Sequence, residues 1–302
     1  MEKECCPLGL NSRRITLFPI RAMNIEAFTE RVRDAALRDA FRISHYGTIA
    51  DVELPVFERF ADDRSTAPNV YISTGVHGDE PAGPMALLEI LRTHSLPKCI
   101  NLTLFPLINP TGLSAGTREN ADGVDLNRDY GPKPVSRETA MQIEWLGDRK
   151  FDLAICMHED SDGEGFYIYS HIDYPTEADY PGLAIEAARP HTGVDTRTLI
   201  DDMPARDEHP EVVPDDVRGG AGRVAVGKPE EGGGDAKGVP EGIVGFVDLP
   251  MDEGFGEQRQ VLVVVAVIAD VEQGVQLDVV EDVLQRRVVD VLAEHHEGRG
   301  DV

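Results

Sequence analysis

The chain has 302 residues, of which 41% are hydrophobic, and a formal net charge of -26. This length suits one large α/β domain or two smaller ones. The excess of acidic residues argues against nucleic acid as a partner, because a phosphate backbone carries the same sign of charge. No apolar run approaches the roughly 18–20 residues that a membrane-spanning helix needs, so no membrane partner is expected.

The first predicted element is a helix that begins near Met23. Asn24 is a suitable N-cap, and Ile25, Phe28 and Val32 fall on one helical face. Residues 1–22 are predicted to be a disordered extension. They contain no apolar segment of secretory type, which favours a cytoplasmic protein with reduced cysteines.

Strands and helices then alternate along the chain. The segment between the first helix and residue 69 is a polar stretch that contains VELPVFERF, and no element is assigned to it. Predicted strands cover 69–74, 100–107, 151–157 and 165–170, and predicted helices cover 81–94 and 134–147, the latter capped by Ser136. This order predicts an α/β fold with a mostly parallel mixed sheet and helices on both faces. Functional residues are expected just after the strands, at their carboxyl ends.

The last third of the chain differs in composition from the rest. Residues 205–302 contain no Ser, Thr, Asn, Tyr, Cys or Trp, but they contain 22 Val and 22 acidic residues. One interpretation is a disordered acidic tail, and the favoured one is a coding strand read out of frame. Residues 261–268 have the pattern of a strand and residues 279–296 that of a helix. We assign no function to either, and residues 23–204 are interpreted as the catalytic domain.

The first chemically suggestive segment is GVHGDE at 75–80, which lies between a strand and a helix. The side chains of His77 and Glu80 can reach one cation from such a turn, and Gly75 and Gly78 let the backbone bend around it. By itself this pattern more often marks a surface turn with an acidic helix cap, so it needs further ligands elsewhere in the chain.

A second imidazole, that of His158, follows the strand at 151–157. Two histidines and a glutamate form the three-ligand set that leaves a fourth zinc position open for water. The sequence therefore predicts one zinc ion bound by His77, Glu80 and His158. Cys156 is an alternative fourth ligand but is interpreted as a small buried hydrophobe.

The third segment is a polar loop that contains NPTG at 109–112, TREN at 117–120 and GVDLNR at 123–128. Its two arginines are suited to binding a carboxylate through paired hydrogen bonds. The alternative is a polar loop in which the arginines pair with its own aspartates.

Taken together, these segments resemble the M14 zinc carboxypeptidase family over about residues 40–200. GVHGDEPAG resembles its first metal motif, NPTG with TREN and GVDLNRDY its substrate loop, and MHED its last metal-ligand strand. The resemblance implies that Arg118 stabilises the oxyanion of the tetrahedral intermediate. It also implies that Asn127 and Arg128 hold the terminal carboxylate of the substrate, and that Asp125 orients His77.

The general base cannot be assigned from the sequence. The family supplies a glutamate from a late strand, but no matching context follows Ile200. Glu241 and Glu253 are in the right half of the chain, without a distinguishing context. Glu159 is a possible substitute, although a residue next to His158 on a strand is expected to point to the opposite face.

Three functions are compatible with these segments, and the first of them is favoured over the second. The first is a zinc-dependent hydrolase that removes a C-terminal residue from a small peptide. The second is a deacylase of N-acyl amino acids, similar to aspartoacylase and succinylglutamate desuccinylase. The third is a zinc-binding but inactive member of the family, truncated or frameshifted after the catalytic segments.

Overall fold

The computed structural model describes most of the chain between residues 22 and 200, together with three later segments. In full, the described residues are 22–131, 133–160, 163, 165–172, 180–190, 193–200, 203–204, 211–212 and 262–269. The helices are α1 Ile25–Arg38, α2 Ala82–Thr93, α3 Pro110–Ala115, α4 Arg137–Leu146 and α5 Tyr180–Ala188, with a 3-10 turn at Leu126–Arg128. The strands are β1 Arg42–Ile49, β2 Val52–Arg59, β3 Asn69–Thr74, β4 Asn101–Phe105, β5 Leu153–Asp160, β6 Tyr167–Ile172, β7 Leu199–Ile200, β8 Met203–Pro204, β9 Glu211–Val212 and β10 Leu262–Ala269.

Eight of these strands form one mixed sheet in the order β1-β2-β4-β3-β5-β10-β6-β9. The central strands β4, β3, β5 and β10 run parallel to one another. The pairs β1–β2, β2–β4 and β10–β6 are antiparallel. The α/β fold with a mixed sheet that the sequence predicts is therefore confirmed.

Helices cover both faces of the sheet, as the side chains of β3 show. Tyr71 is fully buried, and its hydroxyl oxygen accepts a hydrogen bond from Nε2 of Gln142 in α4 at 2.8 Å. Thr74 lies on the opposite face of the sheet. There Gly83 of α2 packs closely against Thr74 and against Met157 of β5. Because alternate residues of a strand face opposite sides, α2 and α4 lie on opposite faces.

Most predicted elements lie where the sequence places them. Strand β3 has the predicted bounds, and α2, α4, β4, β5 and β6 overlap their predicted segments. The side chain of Asn24 accepts a hydrogen bond from the Ala27 amide at 2.9 Å, which confirms it as the N-cap of α1. Ser136 likewise precedes α4 as its N-cap.

The hairpin of β1 and β2 occupies the polar stretch with VELPVFERF, for which the sequence predicts no element. The two strands are joined by Ala50 and Asp51, which both have positive φ angles, 46° and 64°. Such two-residue turns match the twist of a hairpin, but they usually contain Asn or Gly. The absence of these residues hides the turn in the sequence.

Strand β10 comes from the compositionally unusual part of the chain. It nearly coincides with the strand pattern at 261–268 and lies inside the sheet, parallel to β5 and antiparallel to β6. Residues 1–21 of the expected extension and the helical pattern at 279–296 lie outside the described residues. Within the described residues, no helix is long and apolar enough to cross a membrane.

Candidate metal centre

The candidate site lies at the carboxyl ends of two adjacent parallel strands, β3 and β5. The turn that carries His77 and Glu80 follows β3 and leads into α2. Gly75 starts this turn with a φ of +68°, a conformation that glycine adopts without strain. His158 lies near the end of β5. Function at this edge of the sheet is what the strand order predicts.

His77, Glu80 and His158 converge on one point. One potential ligand atom from each residue lies within 4.8 Å of the others, and all three residues are buried. Nδ1 of His77 is 2.5 Å from Oε1 of Glu80, and Nδ1 of His158 is 2.9 Å from Oε2 of the same carboxylate. The Glu80 carboxylate therefore lies between two imidazoles that approach from different strands.

Asp125 connects this group to the long polar loop. Its Oδ1 atom lies 3.2 Å from Nε2 of His77 and accepts a hydrogen bond from the Asn127 amide at 2.9 Å. Its Oδ2 atom accepts a hydrogen bond from Nε of Arg118 at 3.0 Å. Arg118 also lies 3.7 Å from Oε1 of Glu80, so both acidic groups share its positive charge.

The histidines and arginines of the site stabilise the ionised forms of its two carboxyl groups, Glu80 and Asp125. Burial alone would raise the pKa of Glu80, but the charge and hydrogen bonds of His158 and His77 hold that pKa well below its usual range. Burial likewise opposes ionisation of Asp125, whose pKa is nevertheless lowered by His77, Arg118 and Arg128. Two ionised carboxylates therefore face buried imidazoles, an arrangement that attracts a cation.

The pKa of His77 responds to the same contacts in the opposite sense. Burial lowers the pKa of this imidazole, yet the hydrogen bonds that the ring donates to Asp125 and Glu80 raise that pKa above its ordinary value of 6.5. A metal ion that binds His77 must displace this proton, because only the neutral imidazole is a ligand. Metal affinity is therefore expected to fall as the solution becomes more acidic.

The polar loop is tied to the metal-ligand turn through Asn109, whose side chain is fully buried. Its Nδ2 atom donates to the carbonyl oxygens of Val76 and Arg118, both at 3.3 Å. Its Oδ1 atom accepts from the Gly112 amide at 2.8 Å, which caps α3. The Asn109 side chain therefore connects three segments: the turn that carries His77, the backbone at Arg118 and helix α3.

Asn127 and Arg128, which the resemblance assigns to the substrate carboxylate, form the short 3-10 turn after Asp125. Asn127 is buried, and Nη1 of Arg128 lies 3.4 Å from the Asn127 carbonyl oxygen. Arg128 is near enough to lower the pKa of Asp125. Both residues therefore lie beside Asp125, which contacts His77, and their roles remain predictions.

The residues present fit a divalent metal ion. Two imidazoles and one carboxylate are a common ligand set for zinc, and burial strengthens their interaction with a cation. Among the described residues, His158 Nε2 is a buried atom without a hydrogen-bond partner, so this ring is oriented by the contact of its Nδ1 atom with Glu80 and by the neighbouring His77 ring. Cys156 shares a face with His158 but does not join the converging group, and burial raises its pKa to about 11.

The contacts of Asn109 and Glu159 are not evident from the sequence. The NPTG motif draws attention to Asn109, but nothing local indicates its bonds to the carbonyls of Val76 and Arg118. Glu159 accepts a hydrogen bond from the Ala82 amide at 3.0 Å. Burial raises the pKa of its carboxyl to about 7, while that hydrogen bond opposes the shift and Glu80 adds to it. Glu241 and Glu253, weighed as general bases, lie outside the described residues.

The known proteins that this chain resembles are hydrolases of two related kinds. Residues 66–181 match the model of the succinylglutamate desuccinylase/aspartoacylase catalytic domain. Over 103 residues the chain is 31% identical to carboxypeptidase SOL1 of Arabidopsis thaliana. That segment is 28% of this chain and 21% of SOL1, so it spans about a fifth of the relative's length.

Solved structures share the fold over a larger part of the chain. A protein from Shewanella denitrificans assigned as a metallopeptidase aligns with a TM-score of 0.62 at 23% identity, covering 85% of this chain and 87% of its own. A metallo-carboxypeptidase from Pseudomonas aeruginosa, in complex with (2-guanidinoethylmercapto)succinic acid, aligns with a TM-score of 0.52 at 14% identity. The alignment covers 89% of this chain and 68% of that one.

Proposed function

We propose that this chain is a zinc-dependent hydrolase that removes a C-terminal residue from a small peptide. The chain belongs to the M14-like superfamily, which includes carboxypeptidases and succinylglutamate desuccinylase/aspartoacylase-like hydrolases. The observation that carries the proposal is the convergence of His77, Glu80 and His158 within 4.8 Å at the carboxyl ends of β3 and β5. Arg118 lies beside these side chains. The site therefore combines a group of side chains that can bind a metal ion with a guanidinium that can bind an anion.

Different residues of this chain have different roles in the proposed hydrolysis. His77, Glu80 and His158 would hold one zinc ion, which supplies a Lewis acid that polarises a carbonyl and lowers the pKa of bound water. Asp125 fixes the orientation of His77 through its contact with Nε2. Arg118 lies close enough to the group to stabilise negative charge that develops on the substrate carbonyl oxygen.

Substrate binding is proposed to depend on the loop after Asp125. A guanidinium binds a carboxylate through two parallel hydrogen bonds, and Arg128 lies on the 3-10 turn beside Asn127. This pairing would place the C-terminal carboxylate of a peptide next to the metal centre. The carboxylate-bearing ligand of the Pseudomonas aeruginosa neighbour supports a substrate of this general kind.

A second candidate is a deacylase that acts on N-acyl amino acids. The match of residues 66–181 to the succinylglutamate desuccinylase/aspartoacylase domain favours it. Such a substrate has the same two features, an amide bond to cleave and a free carboxylate to bind. Both reactions therefore need the same metal centre and the same arginines, and they differ in what lies on the acyl side of the amide.

The direct test compares the two substrate classes on one zinc-loaded preparation. A dipeptide library and a set of N-acyl amino acids are assayed in parallel, with His158→Ala as the matched control that lacks one metal ligand. The proposed function predicts release of C-terminal residues from dipeptides by the wild type and none by the variant. Cleavage of N-acyl amino acids alone would establish the deacylase instead. Zinc binding without turnover of either class would leave an inactive metal-binding protein.

A further inference from the structure

Glu159 lies at the end of β5, immediately after His158, but its side chain faces the other side of the sheet. Met157 of the same strand faces α2, because a Cβ atom added at Gly83 of that helix would lie 3.3 Å from the Cβ atom of Met157. Residues 157 and 159 share a face because side chains alternate along a strand. Glu159 therefore points towards the start of α2, whereas His158 points towards Glu80.

Two hydrogen bonds join Glu159 to the segment that carries the ligand carboxylate. Oε2 of Glu159 accepts from the backbone amide of Ala82 at 3.0 Å. In the other direction, the backbone amide of Glu159 donates to Oε2 of Glu80 at 3.1 Å. The strand and the turn are thus connected on either side of Pro81.

The first of these bonds supplies what α2 lacks. The N-cap position of α2 is Pro81, which makes no side-chain capping bond. The first amides of a helix have no partner within the helix, so a side-chain oxygen that accepts a hydrogen bond from one of them is stabilising. Glu159 provides that oxygen from a neighbouring strand. Since Glu80 is only two residues before Ala82, this contact also limits the movement of Glu80.

We propose that Glu159 is a positioning residue that caps α2 from β5 and thereby holds the Glu80 carboxylate between His77 and His158. The inference rests on the proposed function, because it assumes that these three side chains bind a metal ion. It also separates Glu159 from the unassigned general base. Its carboxylate accepts a hydrogen bond from a helix amide, and alternation along β5 places its side chain on the face opposite to His158.

Four variants of the full-length protein test this role, with zinc affinity as the readout. Glu159→Ala removes the capping oxygen, and Glu159→Asp keeps the charge but shortens the side chain by one methylene. Glu159→Gln keeps an oxygen at the same reach without the charge. Glu186→Ala, which removes a half-exposed carboxylate from α5, is the matched control. Affinity is measured by competition with a chromophoric chelator, and circular dichroism of the metal-free proteins checks that each variant is folded.

The expected result is a loss of zinc affinity of about 10–100-fold in Glu159→Ala and in Glu159→Asp, the range typical when a group that orients a ligand is lost. Glu159→Gln and Glu186→Ala should retain the affinity of the wild type. If Glu159→Ala does not fold, the comparison of Glu159→Asp with Glu159→Gln still decides the question, because one lacks the reach and the other lacks the charge.

Several outcomes would overturn the inference. One is wild-type zinc affinity in the shortened or truncated variants. Another is a Glu159→Gln protein that loses as much affinity as Glu159→Ala, since a neutral oxygen should suffice for the cap. A third is a Glu159→Gln protein that binds zinc normally but no longer turns over substrate, which would identify Glu159 as the proton acceptor. Failure of the proposed function is distinguishable: a wild type that binds no zinc would refute the metal centre itself, and a wild type that binds zinc but releases no C-terminal residue from dipeptides would refute only the peptidase reaction.

Discussion

Asp125 and His77 are 48 residues apart in the chain, yet Oδ1 of Asp125 lies 3.2 Å from Nε2 of His77. The Nδ1 atom of the same imidazole faces Glu80. With its Nε2–H bonded to Asp125, the neutral ring presents Nδ1 as its free lone pair, which is the atom that points into the candidate metal centre. The polar loop therefore fixes the tautomer of a predicted metal ligand.

Replacing Asp125 by Asn should weaken metal binding without removing a ligand. The amide keeps the size of the side chain but loses the negative charge that favours the correct His77 tautomer. We expect a decrease in zinc affinity of about 10–100-fold. Chelator competition at neutral pH measures it. An Asp125→Asn protein with unchanged affinity would show that the loop does not orient His77.

Replacing Arg118 by Ala should affect turnover more than metal binding. Its guanidinium lies 3.7 Å from Glu80 and is partly exposed, so it can reach a substrate oxygen. Loss of one group that stabilises an oxyanion typically costs about 10²–10³-fold in kcat. We expect that decrease with zinc content maintained, as checked by elemental analysis of the assayed sample. A selective rise in KM with kcat unchanged would instead assign Arg118 to ground-state binding.

Asp129 should make the protein sensitive to acid. Its carboxylate accepts hydrogen bonds from the amides of Val135 and Ser136 and from the hydroxyls of Ser136 and Thr139, at 2.6–2.8 Å. Burial opposes ionisation, but these bonds lower the pKa of Asp129 below its ordinary value of 3.8. Asp129→Asn should destabilise the fold at pH 7 by about 1–3 kcal/mol, because several donors lose a charged acceptor.

The pH dependence of that difference follows from the direction of the shift. A carboxyl group whose pKa is lower in the folded state stabilises the fold above its unfolded pKa and loses that effect as pH falls through the folded value. The gap between wild type and Asp129→Asn should therefore be constant above about pH 5 and shrink below pH 3.8. Urea unfolding at a series of pH values measures it. A gap that widens in acid would contradict this assignment.

Gly78 should tolerate no side chain. A Cβ atom at this position would lie 1.9 Å from the carbonyl carbon of Gly112, which is backbone and cannot rotate away. Gly78→Ala is therefore expected to push the turn of His77 away from α3 and to lower both zinc affinity and the thermal midpoint. Gly131→Ala is the matched control, because a Cβ atom there meets nothing within 4 Å. Equal behaviour of the two variants would contradict the close packing of the two loops.

The sequence predicts the sheet and the ligand set because both leave local signals. Strand β3 is a short β-branched and aromatic run with glycine after it, and the His77 turn and His158 follow strands whose neighbours could be inferred from the α/β order. A resemblance then supplied expected roles for Arg118 and Asp125, which no periodicity indicates. These signals locate the candidate site at the carboxyl edge of the sheet.

Other features depend on contacts between distant residues and leave no local signal. The turn at Ala50 and Asp51 lacks the usual residues, so the β1–β2 hairpin is hidden. The buried bonds of Asn109 and the cap that Glu159 provides for α2 join segments 33 and 77 residues apart. Such relationships follow from packing of the whole sheet, which spacing along the chain does not specify.

Metal content per chain is the measurement that tests the central claim most directly. Purified protein is equilibrated with zinc, freed of excess ion and analysed for zinc and protein by mass spectrometry, alongside His77→Ala, Glu80→Ala and His158→Ala. The account predicts one tightly bound zinc per wild-type chain and its loss from each of the three folded variants. A wild type that retains no zinc, or a His158→Ala protein that retains it with undiminished affinity, would contradict the account.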